Sequence, residues 1–177
     1  LYLLQEKIPT TILGRGTNIL VRDGGIRGVT IRLKEGLRGW RREGETVLYA
    51  ESGLCLAQIV KWGMEWGLEG LEALAGIPGS LGGAIRMNAG TRYGEIGDVV
   101  VKVSIIDERG TFRDMEREEM GFSYRHTSLP RGAVVVSALL GFRKGDSAKV
   151  RERTIELLAH RRKTQPIALP SAGSIFK

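Results

Sequence analysis

Gly76-Ile77-Pro78-Gly79-Ser80-Leu81-Gly82-Gly83 is the stretch on which the reading of this chain turns. Four glycines in eight residues remove side chains along one path. The backbone there can approach a flat or anionic group, or it can pack as a plain crossover beneath a sheet. Ala84-Ile85-Arg86-Met87-Asn88-Ala89-Gly90 follows directly. A second glycine turn lies upstream, Gly14-Arg15-Gly16-Thr17-Asn18, between two β-like runs. Its amide hydrogens can converge on phosphate oxygens, with Thr17 and Asn18 adding donors, although a simple β-turn also accounts for the same residues. The Gly-Lys-Ser/Thr ending of a Walker loop is missing, and no Gly-x-Gly-x-x-Gly opens a helix. Two such loops in one short chain favour a dinucleotide, which needs a pyrophosphate cradle and a slot for a flat ring.

The composition agrees with this. The chain has 25 glycines in 177 residues, 19 of them within residues 1–97. Hydrophobic residues make up 42%, enough for a core, which excludes a disordered chain, and no Gly-X-Y period suggests collagen. Lys and Arg exceed Asp and Glu by 27 − 20 = 7, so an anionic partner is expected: nucleic acid, an anionic membrane or a phosphorylated small molecule. Aromatics are only 6% and the basic residues gather near one helix end, which argues against nucleic acid. No apolar run reaches the roughly 18 residues of a membrane span. Lone Cys55 cannot form an intrachain disulfide, which suits a reducing cytoplasmic setting, and it reads as a small buried residue. With His126 and His160 the only histidines, no metal motif is present.

Hydrophobic patterning predicts an α+β chain. Short strands are expected at Thr11–Leu13, Asn18–Val21, Gly28–Leu33 and Thr46–Tyr49. A helix carrying Leu54, Leu56, Ile59, Val60, Met64 and Leu68 follows, with Ser52 as its N-cap. Further strands are expected over Val99–Asp107, from Thr111-Phe112, and over Ala133–Leu140. A basic amphipathic helix spans residues 146–163 and ends before Gln165-Pro166. Its Arg151, Arg153, Arg161, Arg162 and Lys163 are most economically a solvated face, with diphosphate binding the next reading.

Two more segments carry chemistry. In Tyr124-Arg125-His126-Thr127, Arg125 has the fork that holds a carboxylate bidentately, although a surface arginine beside a packed tyrosine is the simpler account. In Pro170-Ser171-Ala172-Gly173-Ser174-Ile175-Phe176-Lys177, Ser174 follows a glycine that lets its hydroxyl project. No Gly-x-Ser-x-Gly elbow or triad partner accompanies it.

Taken in order, these segments resemble the UDP-N-acetylenolpyruvoylglucosamine reductase (MurB) family. Gly14–Gly25 is similar to the family's first flavin loop, and Ala75–Ala84 with Met87–Gly90 is similar to its second. Tyr124–Thr127 resembles its Tyr-Arg-x-Ser segment, and Gln165-Pro166 with Pro170–Lys177 resembles its serine-bearing segment. The likeness runs from about Ile8 to Lys177. It implies an FAD-binding fold of the vanillyl-alcohol-oxidase (PCMH) type, with two α+β subdomains over residues 1–145 and the start of a substrate-binding domain over residues 146–177. It further implies that NADPH reduces FAD and that the flavin then reduces UDP-N-acetylglucosamine enolpyruvate to UDP-N-acetylmuramate, in peptidoglycan precursor synthesis.

By the same resemblance, Gly14, Gly16, Thr17, Asn18, Gly76, Ile77, Pro78, Gly79, Gly82, Gly83, Asn88 and Gly90 hold the cofactor. Arg125 stabilises the carbanionic intermediate and Ser174 donates the proton. Tyr124, Arg161, Lys163 and Gln165 meet the substrate. No nucleic acid, membrane or obligate protein partner is implied. Thr17 and Thr127 stand where the family usually has serine, and both keep a hydroxyl. Asn88–Gly94 holds one residue more than the usual Asn-x-Gly-Ala-Tyr-Gly. With no initiator methionine and an end at Lys177, the chain reads as a fragment. The segment before the first loop, and most of a substrate domain bearing the family's catalytic glutamate, are expected outside it.

Overall fold

The computed structural model describes residues 2–33 and 35–165. In chain order, α1 (Tyr2–Gln5) and β1 (Thr10–Leu13) are followed by β2 (Val29–Arg32), β3 (Trp40–Glu43), β4 (Val47–Glu51), α2 (Leu56–Trp66) and the short β5 (Leu68–Glu69). Next come α3 (Leu81–Arg86), the pair β6 (Gly90–Thr91) and β7 (Gly94–Glu95), and then β8 (Val100–Ile106) and β9 (Phe112–Glu116). β10 (Val134–Gly141), β11 (Arg143–Lys144) and α4 (Ser147–Thr164) complete the order.

The main body is a five-stranded antiparallel sheet, β3-β4-β10-β8-β9. Apolar residues alternate along its strands, so one face turns inward. Leu48 and Ala50 of β4, Val103 and Ile105 of β8, and Met115 of β9 are all buried there. β10 lies second from neither edge but at the centre, and its near-continuous apolar run matches that position. α2 lays Leu56, Ile59 and Val60 into the same core and stops at Gly67 in the left-handed conformation. α4 buries Val150 and Thr154 and sets Leu158 against the core. β1 and β2 form a separate parallel pair whose residues are mostly exposed. Among the described residues, no helix is long and apolar enough to cross a membrane.

Three sequence expectations need correction. Asn18–Val21 forms no strand. β2 takes the place beside β1, and residues 18–21 lie in an exposed loop with Leu20 at 80% exposure. Ser52 is not the N-cap of α2. Extended Cys55 holds that position without a side-chain cap bond, and the buried Ser52 hydroxyl has no partner among the described residues. Ser52 acts through its backbone instead, donating to Val136 O at 2.8 Å and accepting from Gly82 N at 2.9 Å. The third concerns α2, which is shorter than predicted: Leu54 precedes its N-cap and Leu68 lies in β5. α3 itself carries glycines that disfavour a helix by about 1 kcal/mol each. It forms because the Ser80 hydroxyl accepts from Gly83 N and because Leu81 and Ile85 are fully buried.

Leu140 is fully buried in β10 opposite Leu48 and Val100. Leu140→Ala should cost about 2–5 kcal/mol in urea unfolding with an unchanged denaturant slope. A loss below 1 kcal/mol would mean that this layer is not the core.

Candidate functional site

The two glycine loops, far apart in sequence, touch. The Thr17 hydroxyl donates to Pro78 O at 3.2 Å. A Cβ placed on Gly14 would run into Ser80 Oγ, and one on Gly79 would lie 3.3 Å from Thr17 Oγ1. Gly79 also has φ +139, a conformation that side chains disfavour. Gly14, Thr17, Pro78, Gly79 and Ser80 thus form one clasp, with Gly16 open to space and Asn18 exposed beside it. The clasp is pinned to the body of the protein. Leu81 N donates to Leu54 O, and Gly82 N donates to Ser52 O. Gly82 is therefore a packing glycine against Ser52, while Gly83 stays exposed and Ile77 leans on the core.

At the other end of α3 stands an arginine clip. Ser123 and His126 exchange backbone hydrogen bonds at 3.1 and 3.0 Å, and Arg125 sits at the tip of that turn with φ +53. The turn is docked on the segment after α3. Thr127 Oγ1 donates to Arg86 O at 3.0 Å, and the Arg125 guanidinium donates to Gly90 O at 2.9 Å and to Asn88 O at 3.4 Å. The Arg125 guanidinium lies 5.2 Å from the centroid of the Tyr124 ring, which is 68% exposed. Asn88 and Gly90 are brought to the clip, and both Asn88 amide hydrogens are taken by protein acceptors, Glu95 Oε1 and Ser123 O.

A cavity of about 150 Å³ opens between this region and α4, lined by Thr91, Arg92, Tyr93, His160, Arg161 and Gln165 among others. Gly76 lies under Leu158 and Arg161, which ties the second glycine loop to α4. Arg92 Nη2 reaches the Tyr93 hydroxyl at 2.5 Å and lies 3.4 Å from His160 Nε2. Burial, and then the nearby Arg125 charge, hold the Arg161 guanidinium below its ordinary pKa. Among the described residues neither Arg92 nor Arg161 pairs with a carboxylate. Unpaired cations facing one cavity suit an anionic ligand.

The sequence-derived set is thus partly assembled. Gln165 and Arg161 share the cavity, whereas exposed Lys163 is not among its lining residues. Ser174 lies outside the described residues. Arg92 and His160 were not foreseen as cavity residues. The only signal for Arg92 was its place directly after Asn88-Ala89-Gly90, in the longer segment.

Residues 2–116 match the FAD binding domain family. The chain is 42% identical over 174 residues to a UDP-N-acetylenolpyruvoylglucosamine reductase of Clostridium novyi, covering 98% of this chain and 56% of the relative. The crystal structure of UDP-N-acetylenolpyruvylglucosamine reductase (MurB) from Thermus caldophilus superposes with TM-score 0.80 at 33% identity, over 99% of this chain and 64% of that one. A solvent-stable cholesterol oxidase superposes with TM-score 0.61 at 15% identity, over 80% of this chain and 31% of the other, a likeness of fold alone. The fold is the FAD-binding one of the vanillyl-alcohol-oxidase (PCMH) type. The chain belongs to the FAD binding domain family, and over nearly its whole length it is similar to UDP-N-acetylenolpyruvoylglucosamine reductases (MurB). It spans little more than half the length of the curated relatives it matches, 56% in C. novyi.

Because the Arg161 charge is disfavoured by burial and by Arg125, Arg161→Gln should raise Tm slightly in low salt. The part of that gain due to Arg125 should shrink as ionic strength rises from about 0.01 to 1 M, where the Debye length falls from about 30 to 3 Å, while the part due to burial stays. A fall in Tm at low salt would show that the guanidinium is held by a favourable partner instead.

Proposed function

We propose that this chain is the FAD-binding part of an enzyme that reduces UDP-N-acetylglucosamine enolpyruvate to UDP-N-acetylmuramate with NADPH, in the cytoplasm. The observation that carries the reading is the clasp. Two glycine loops meet where a side chain would clash at position 14 and be strained at position 79, leaving bare backbone for a dinucleotide. The clasp and the arginine clip lie at opposite ends of α3, whose six residues rise about 9 Å. A ribityl chain can bridge that interval, so the pyrophosphate would rest at the clasp and the ring near the clip. Gly14, Gly16, Thr17, Asn18, Pro78, Gly79 and Gly83 would line that path, with Asn88 and Gly90 shaping its far end.

When bound, FAD would supply the hydride transfer between NADPH and the enolpyruvyl double bond that no side chain here can. The chain's own residues do the rest. Arg125 spends only part of its donor fork on Gly90 O and Asn88 O, so it keeps N–H groups for the substrate carboxylate and the charge that develops beside it. Tyr124 borders that place. Arg92, Arg161 and Gln165 face the cavity that would take the substrate diphosphate, with Lys163 adding charge at the end of α4. Ser174 is assigned the proton. A hydroxyl is a weak acid and serves only when held within hydrogen-bond reach of a strongly basic enolate. The division at residue 145 belongs to the same reading, and it falls in the short step between β11 and α4.

In the full-length protein, flavin absorbance should bleach with NADPH and return with the enolpyruvyl substrate. Ser174→Ala should leave bleaching intact and slow the return by about 10²–10⁴-fold. Equal slowing of both half-reactions would remove Ser174 as proton donor. Bleaching with NADPH that the UDP-sugar never reverses would point to a different flavoenzyme of this fold.

A further inference from the structure

Asn88 lies at the centre of the arginine clip. It is one of four described non-glycine residues with positive φ, at +41°, and it is completely buried. A buried amide is costly unless its hydrogen bonds are met, and this one makes three. Oδ1 accepts from Gly97 N at 3.1 Å, while Nδ2 donates to Ser123 O at 3.0 Å and to Glu95 Oε1. Glu95 is itself held in a reciprocal capping box. Its backbone N–H donates to Asp98 Oδ2 at 2.8 Å, and its carboxylate accepts from the Asp98 backbone. No side chain fits at Gly90, where a Cβ would lie 2.5 Å from Glu95 Cβ. The segments 88–90, 95–97 and 123–126 are thus joined around one amide.

Two of these links concern Arg125 from opposite ends. The Asn88 side chain grips Ser123 O, which opens the turn bearing the Arg125 backbone. The Asn88 carbonyl receives the Arg125 guanidinium, and its left-handed backbone presents Gly90 O beside it. One residue therefore references both the base and the tip of the arginine. We propose that Asn88, braced by Glu95, is the positioning residue that aims the Arg125 guanidinium at the substrate. This rests on the activity proposed above. It differs from the cofactor-binding role that family resemblance suggests for Asn88.

The test uses the FAD-loaded full-length protein and compares the two half-reactions by stopped flow. Asn88→Ala should slow reoxidation by the enolpyruvyl substrate about 100-fold, the scale of a misplacement near 1 Å. In Glu95→Ala, reduction by NADPH and FAD content should stay within about twofold of wild type, since neither depends on aim at the enolpyruvyl carboxylate. Asn88→Ala combined with Arg125→Ala should be no slower than Arg125→Ala alone. Glu95→Gln, whose amide oxygen still accepts from Asn88, should keep most of the rate that Glu95→Ala loses.

Multiplying losses in the double variant, equal slowing of both half-reactions in Glu95→Ala, or equal loss in Glu95→Gln and Glu95→Ala would overturn the proposal. Should Asn88→Ala not fold, the Glu95 pair decides. A wild-type protein that the substrate does not reoxidise would overturn the activity reading instead. The aim can then still be read from the Arg125 side-chain signals in ¹⁵N-arginine spectra. Those signals should be dispersed in wild type and collapse in Glu95→Ala but not in Glu95→Gln, and indifference to both changes would overturn the positioning role.

Discussion

The close approach of Gly14 and Thr17 to Pro78, Gly79 and Ser80 is the contact on which the rest of the architecture depends. It joins loops 61 residues apart, so it has to be held from outside itself against the entropy of closing that interval. The restraint comes from the sheet. β10 accepts the Ser52 amide at Val136 O, Ser52 accepts the Gly82 amide, and α3 then carries Ser80 to the side of Gly14. The solvent-exposed β1–β2 pair is thereby referenced to the buried core through a few backbone hydrogen bonds.

The other end of α3 follows from the same anchoring. With Leu81 and Ile85 buried, Arg86 O is positioned to receive Thr127, and the chain turns at Asn88 to present carbonyls to Arg125. Charge then gathers where the backbone has made room. Burial, and then Arg125, disfavour the charge on Arg161, and Arg92 crowds His160 and Tyr93, with no carboxylate pairing to Arg92 or Arg161 among the described residues. Such a cluster is uncomfortable alone and comfortable around a phosphorylated ligand. The net +7 of the chain thus acquires a local purpose in this cavity rather than a diffuse one.

The glycine clusters, the β10 run and the amphipathic spacing of α2 were legible in the sequence, because turn chemistry and hydrophobic period are local signals. Arg125 and the second glycine loop were legible only as ordered motifs, since each alone had an ordinary structural reading. What stayed hidden depends on partners distant in sequence. Asn88 was readable only as part of the second flavin-loop likeness, and its partners at 95, 97 and 123 were not readable at all. Ser52 looked like a cap because it precedes an apolar periodic run, yet its backbone serves the sheet and α3. Residues 18–21 had strand-like composition, but pairing decided against them when Val29–Arg32 took the place beside β1.

The central claim is that the clasp between the two glycine loops is the cofactor cradle. The most direct measurement is FAD titration of the full-length apoprotein and of Gly14→Ala, followed by quenching of flavin fluorescence. The added methyl must displace the Ser80 hydroxyl, which caps α3 at the clasp. The account predicts at least a tenfold weaker Kd, about 1.4 kcal/mol, with the far-ultraviolet circular dichroism unchanged. Equal FAD affinity in the two proteins would contradict it.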